Sequence, residues 1–140
     1  IYNMERLLRK FQTAASMVPQ PVVRPAPEST AFGVIYYGST SPAMSEALDA
    51  LEAQGLNIDA MRLCAFPFPE SVAEFIASHD QVFVVEQNRD AQMRSLLVNE
   101  LQVDPAKLLA VLHYDGTPIT ARFIVGEIRQ TLVAATKELA

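Results

Sequence analysis

Two hydrophobic periods alternate along the chain. Apolar runs occur at 31–37 (AFGVIYY), 81–86 (QVFVVE) and 108–114 (LLAVLHY), and an alternating run at 56–64 (LNIDAMRLC). Runs of this length predict β-strands, and unbroken ones predict strands covered on both faces. Between them the spacing changes to three and four. Met44, Ala47, Leu48 and Leu51 make one stripe, Val72, Phe75 and Ile76 a second, Met93, Leu96, Leu97 and Leu101 a third, and Ile124, Ile128 and Leu132 a fourth. Each predicts a helix with one apolar face. Ser41 is expected to cap the first of these helices with Pro42 at its first position, and Gly55 to end it. Asp104-Pro105 is expected to start a helical turn.

The first residues follow a different plan. Ile1, Met4, Leu8, Phe11, Ala15 and Val18 are spaced as one helical face, so 1–18 reads as a helix. The stretch PQPVVRPAPEST, 19–30, has four prolines among twelve residues and predicts an extended linker. The compact domain is then 31–140. Strand and helix alternate through it, which predicts an α/β fold: a parallel or mostly parallel sheet with helices on both faces. Val34, Ile35, Val82, Val84, Val85, Val111 and Leu112 are expected to be buried in it. The 1–18 helix should bury Met4, Leu8 and Phe11 against this domain or against a second copy in a homodimer, because an isolated helix of that length is marginal in water.

Composition narrows the classes. The 140 residues are 50% hydrophobic and 19% charged, a globular balance. No apolar run is long enough to span a membrane, and the charged Glu5, Arg6, Arg9 and Lys10 stand where an export signal needs apolar residues. The net charge of −5 without a Lys/Arg cluster argues against nucleic-acid binding. One cysteine, Cys64, rules out an internal disulfide and suits a reducing cytoplasm. The chain opens on Ile1 and reads as a processed chain or a piece of a longer protein.

Candidate chemistry lies at the polar strand ends, where open α/β sheets bind ligands. There are three: Gly38-Ser39-Thr40-Ser41, Glu86-Gln87-Asn88 and His113-Tyr114-Asp115-Gly116. Free N–H groups in the first could hold an anion, although a single glycine matches neither phosphate-loop spacing. The plainer reading is a capped turn. In the second, Asn88 or Asp90 would cap the following helix, and the exposed side would meet a ligand or another domain. Asp115-Gly116 reads as a turn. His79 and His113 have no metal-ligand spacing, Cys64 reads as core, and no nucleophile elbow surrounds Ser39 or Ser41. The residues by themselves assemble no active site.

In order, VIYYGST, FPFPESVAEFI, VFVVEQNRDAQMRSLLVNEL and VLHYDGTPIT resemble the C-terminal domain of the alpha subunit of 2-oxoacid:ferredoxin oxidoreductases, the 2-oxoglutarate enzymes above all. The resemblance runs over about residues 1–130. It implies a transketolase C-terminal fold: a three-layer α/β/α sandwich around a five-stranded, mostly parallel sheet with one antiparallel strand. Four strands are plain in the sequence, so the fifth would be short, or lie in 102–107 or in the linker. The resemblance implies a holoenzyme that oxidatively decarboxylates a 2-oxoacid with thiamine diphosphate and Mg²⁺, passes the acyl group to coenzyme A, and sends electrons through iron–sulfur clusters to ferredoxin. It places the diphosphate motif on a partner beta subunit and the thiamine-activating glutamate in an upstream alpha-subunit domain, and neither role transfers to a residue of this chain. The expectation is a non-catalytic domain that binds no cofactor and contacts its neighbours through Ser39, Thr40, Ser41, Glu86, Gln87 and Asn88. The rival expectations are a free-standing flavodoxin-like or nucleotide-binding module using the Ser39–Ser41 loop, and a pure oligomerisation domain.

Overall fold

The strongest apolar runs form the centre of the sheet. The computed structural model of the protein describes residues 1–138, with side chains through residue 132. In it β2 (Phe32–Tyr37) and β4 (Gln81–Glu86) lie side by side in parallel, because both are apolar on both faces. Strand β3 (Asp59–Leu63) pairs in parallel with the other side of β2, and β5 (Leu108–Leu112) with the other side of β4. Strand β1 (Val22–Arg24) closes the β3 edge in antiparallel sense, giving the order β1-β3-β2-β4-β5. Val34 sits in register between Ala60 and Phe83.

Helices α2 (Ser41–Glu52) and α5 (Ala121–Glu138) cover one face, packing on Val34, Ala60, Phe83, Val85 and Val111. Helices α3 (Glu70–Ala77) and α4 (Gln92–Leu101) cover the other, over Ile35, Met61, Val82, Val84 and Leu108. The result is the expected three-layer sandwich. Each fully buried aliphatic side chain in these clusters contributes about 1.5–3 kcal/mol. Close packing shows at Gly33, where a Cβ would stand 2.9 Å from the Phe75 ring. At the end of α2, Gly55 takes φ +74° and lets the Leu56 N–H return to Leu51 O, closing the helix as expected.

The expected core residues are buried with one exception. Leu112 is only half-buried, because β5 is an edge strand. It shares a face with Leu108 and Ala110, and α4 covers Leu108 but leaves Ala110 exposed. The fifth strand, β1, comes from the proline segment. Its Arg24 pairs with Asp49 at 2.7 Å and Glu52 at 3.3 Å, the Ala26 N–H reaches Asp59 Oδ1 at 2.7 Å, and the Thr30 hydroxyl reaches Asn57 O at 2.7 Å. Proline is tolerated here because the strand lies at the edge.

The expected Ser41 cap is corrected, and of the two covers expected for the first helix, this domain or a second copy, the structure removes the first. Helix α1 (Tyr2–Met17) forms but has no buried residue, so it does not pack on this domain. Met4, Leu8 and Phe11 stay exposed because Val18 leaves the helix in an extended conformation and prolines 19 and 21 carry the chain straight to β1. Ser41 does not cap α2. A single 3₁₀ turn over Gly38–Thr40 precedes the helix and moves its start, so Ser41 is the first helical residue and Thr40 the cap position. The Ser41 hydroxyl donates back to Gly38 O at 2.9 Å.

Candidate functional site at the carboxyl ends of the strands

Strand order reverses between β2 and β4, since the chain goes one way from β2 to β3 and the other way from β4 to β5. Crevices at such a reversal are the usual ligand position in open α/β sheets. The strand ends and turns flanking this one carry all six candidate residues, and these residues bond mainly to each other and to backbone. Gln87 spans the crevice. Its Nε2 donates to Ser39 Oγ at 3.1 Å and Thr40 Oγ1 at 3.2 Å, and its Oε1 accepts the Ile119 N–H at 3.4 Å. One amide thus ties together the loops after β2, β4 and β5. This side chain bridges the crevice that would serve a nucleotide-binding module.

Glu86 is fully buried, with both carboxylate oxygens engaged. Oε2 accepts the Met93 N–H at 2.7 Å and Asn88 Nδ2 at 2.8 Å, and Oε1 accepts the Arg94 N–H at 2.9 Å. Those two amides belong to the first turn of α4, so Glu86 caps that helix from a neighbouring strand. A buried carboxylate is tolerable there because N–H donors and the positive helix end replace water. Asn88 supplies part of the cap, its Oδ1 accepting from Asp90 N at 3.1 Å and Gln92 N at 3.2 Å. Asp90 does not cap; its carboxylate pairs with Arg89 at 2.8 Å. Ala91, just before the helix, is held at φ 49°, the left-handed region. The Tyr37 hydroxyl lies 3.5 Å from Asn88 Nδ2, and its pKa is raised, first by burial and then by the Glu86 charge.

The remaining polar groups make their contacts within the domain. His79 is buried with Nδ1 2.7 Å from Phe75 O and Nε2 3.0 Å from Asp59. His113 packs its ring on Phe123, with centroids 4.8 Å apart. Asp115 accepts the N–H and hydroxyl of Thr117, at 2.8 and 2.7 Å, and these bonds hold its pKa below the ordinary carboxylate value. It is a turn residue, as its sequence implied.

Cys64 is not core. It is half-buried one residue past β3, because the chain leaves the sheet there. It lines two adjoining cavities at the end of β3 that the sequence reading did not anticipate. One, of about 300 Å³, is walled by Tyr37, Leu63, Phe66, Phe68, Met93 and Leu96. The other, of about 220 Å³, is walled by Gly38, Ser41, Arg62, Leu63 and Cys64. The available signal was the aromatic-proline run FPFP directly after a strand.

The model of the pyruvate:ferredoxin oxidoreductase core domain II family matches residues 31–123, the sheet domain from β2 into α5. The chain belongs to this family. Its fold is similar, with a TM-score of 0.75 and 25% identity, to a 2-oxoglutarate:ferredoxin oxidoreductase from Magnetococcus marinus with 2-oxoglutarate, coenzyme A and succinyl-CoA bound. That match covers 85% of this chain and 21% of the Magnetococcus chain. The alpha chain of a probable 2-oxoacid ferredoxin oxidoreductase from Thermoplasma acidophilum is similar at a TM-score of 0.54 and 23% identity, over 81% of this chain and 97% of that one. A split-gene transketolase, an inactive beta4 tetramer, shares the fold at a TM-score of 0.62 and 20% identity, over 81% of this chain and 41% of that one. No curated protein sequence matches. The family assignment agrees with the resemblance read from the four sequence segments, and the sandwich with its transketolase-like neighbours agrees with the expected fold.

Proposed function

We propose that this chain is the assembly domain of the alpha subunit of a thiamine-diphosphate-dependent 2-oxoacid:ferredoxin oxidoreductase, and that it contributes no catalytic group. The observation that carries this reading is the internal satisfaction of the strand-end polar groups. Gln87 is bonded to Ser39, Thr40 and Ile119, and Glu86 to α4 and Asn88, so their hydrogen-bonding capacity holds loops together. The donor set does not fit the family's cofactors. Among the described residues no group of three His, Cys, Asp or Glu side chains is placed to hold a metal, and an iron–sulfur cluster needs several thiolates where this sequence has one cysteine.

On this reading thiamine diphosphate, Mg²⁺ and the clusters are held by a beta subunit and upstream alpha-subunit domains. The holoenzyme passes an acyl group to coenzyme A and electrons to ferredoxin, in the cytoplasm. Residues 1–18 act as the connecting helix, and the loops at Ser39–Ser41 and Glu86–Asn88 turn their outer sides to neighbouring domains. Calorimetry tests the proposal. The chain should bind the beta subunit with its upstream domains, and should give no saturable heat with thiamine diphosphate and Mg²⁺. A micromolar thiamine diphosphate site on this chain alone would overturn it.

A further inference from the structure

We infer that the cleft at the end of β3 binds a small amphipathic anion: an aromatic or branched apolar body carrying one carboxylate or comparable acid group. The inference is independent of the assembly role. The two cavities share Gly38, Leu63 and Cys64, so they form one cleft that straddles the end of β3. It opens at the carboxyl ends of parallel strands, the position α/β sheets use for ligands, but beside the crevice that Gln87 bridges. The larger lobe, about 300 Å³, lies at the small end of the range for ligand pockets and suits a ring-sized body.

The two lobes differ in chemistry. The larger is apolar and aromatic. At its rim Phe66 stacks edge-to-face on Phe68, with centroids 5.3 Å apart, yet keeps 44% of its surface exposed. A bound apolar body would cover that ring. The smaller lobe presents the Arg62 guanidinium. Arg24 and Arg89 pair with carboxylates, and Arg94 donates to two backbone carbonyls. Arg62 instead makes a weak 3.8 Å contact with Cys64 Sγ and has no carboxylate partner among the described residues. A guanidinium fork matches a carboxylate in two parallel hydrogen bonds. A cation in one lobe and an aromatic wall in the other therefore select a ligand with both features. Inorganic phosphate lacks the body, and a neutral arene lacks the anion.

Naphthoate is the probe, naphthalenemethanol its neutral counterpart, and the rate of Cys64 alkylation by iodoacetamide an independent readout of occupancy. Naphthoate should bind the chain saturably and slow the alkylation. Arg62→Gln, at an exposed position that leaves the fold intact, should weaken naphthoate by about tenfold, the scale of one charge-assisted hydrogen bond, and leave naphthalenemethanol unchanged. Arg62→Lys should restore part of the loss. The inference fails if naphthoate shows no saturable binding, or if Arg62→Gln does not weaken it. It also fails if the neutral alcohol binds as tightly as the acid, which would make the cleft an apolar socket for a protein side chain.

Discussion

Replacing Glu86 with Gln changes a single oxygen to an amide nitrogen inside a cap that is fully buried. Three donors converge on the carboxylate: Met93 N at 2.7 Å, Asn88 Nδ2 at 2.8 Å and Arg94 N at 2.9 Å. The amide oxygen can keep the first two. Its NH₂ group then faces the Arg94 N–H, donor against donor, with no water to intervene. One buried N–H loses its partner, which costs about 1–3 kcal/mol, and the two surviving bonds lose their charge assistance. The negative charge at the positive end of α4 is also gone, worth about 0.3–1 kcal/mol. The expected total is about 2–3 kcal/mol, which for a domain of this length lowers the melting temperature by roughly 7–10 °C. Thermal melts of wild type and variant measure the total. Hydrogen exchange locates it, since the amides of Met93 and Arg94 should lose protection before those of β4. A variant that melts within a degree or two of wild type, with both amides still protected, would refute the assignment of Glu86 as the cap of α4.

Three further outcomes follow from the same structure. Ala91 is held at φ 49°, so Ala91→Gly should relieve local strain and stabilise the chain by about 0.5–1 kcal/mol net of unfolded-state entropy, seen as a higher melting temperature; a lower one would refute the strain. The Asp115 pKa is depressed, first by the Thr117 hydroxyl, so its contribution to stability is present above the unfolded carboxylate value and lost as pH falls through the folded one. Thr117→Val should move the Asp115 titration, followed by NMR, up toward the ordinary value, and an unmoved titration would sink the attribution to Thr117. Deleting residues 1–18 should leave the melting temperature unchanged, because α1 has no buried residue; a fall of several degrees would show that α1 packs on the domain after all.

The four parallel strands were legible because each is a local pattern: an apolar or alternating run bounded by turn residues. Strand β1 was legible only as one of several places for a fifth strand. Its three residues lie among prolines and gain strand geometry only by pairing with β3, with Val22 set opposite Arg62 far along the chain, so nothing local announces it. The α1 stripe was read correctly as a helix, but periodicity says which face is apolar and not what covers it. Glu86 was visible as a polar strand end. Its burial was not, because the compensating amides come from the next helix. Gln87 reaches partners on two other loops, and one sequence without aligned relatives carries no trace of such contacts. The cleft at β3 was hidden for the same reason, since its walls come from the ends of two strands, a loop and α4.

The direction of β1 has a geometric consequence. Running against β3, it places Val22 opposite Arg62 and Arg24 opposite Ala60, so the chain joins the sheet at the rim where the parallel strands finish. Only Pro19, Gln20 and Pro21 separate that point from the end of α1 and its residue Val18, a tether of about 10 Å at full stretch. Prolines make it stiff as well as short, which narrows the volume it can explore. Any body that grips α1 is thereby confined to the neighbourhood of Arg62 and Cys64, at an effective concentration far above that in free solution. A parallel β1 would have delivered the same helix to the opposite rim, beside the amino ends of the strands. Three residues of edge strand thus act as a compass bearing for whatever holds the arm.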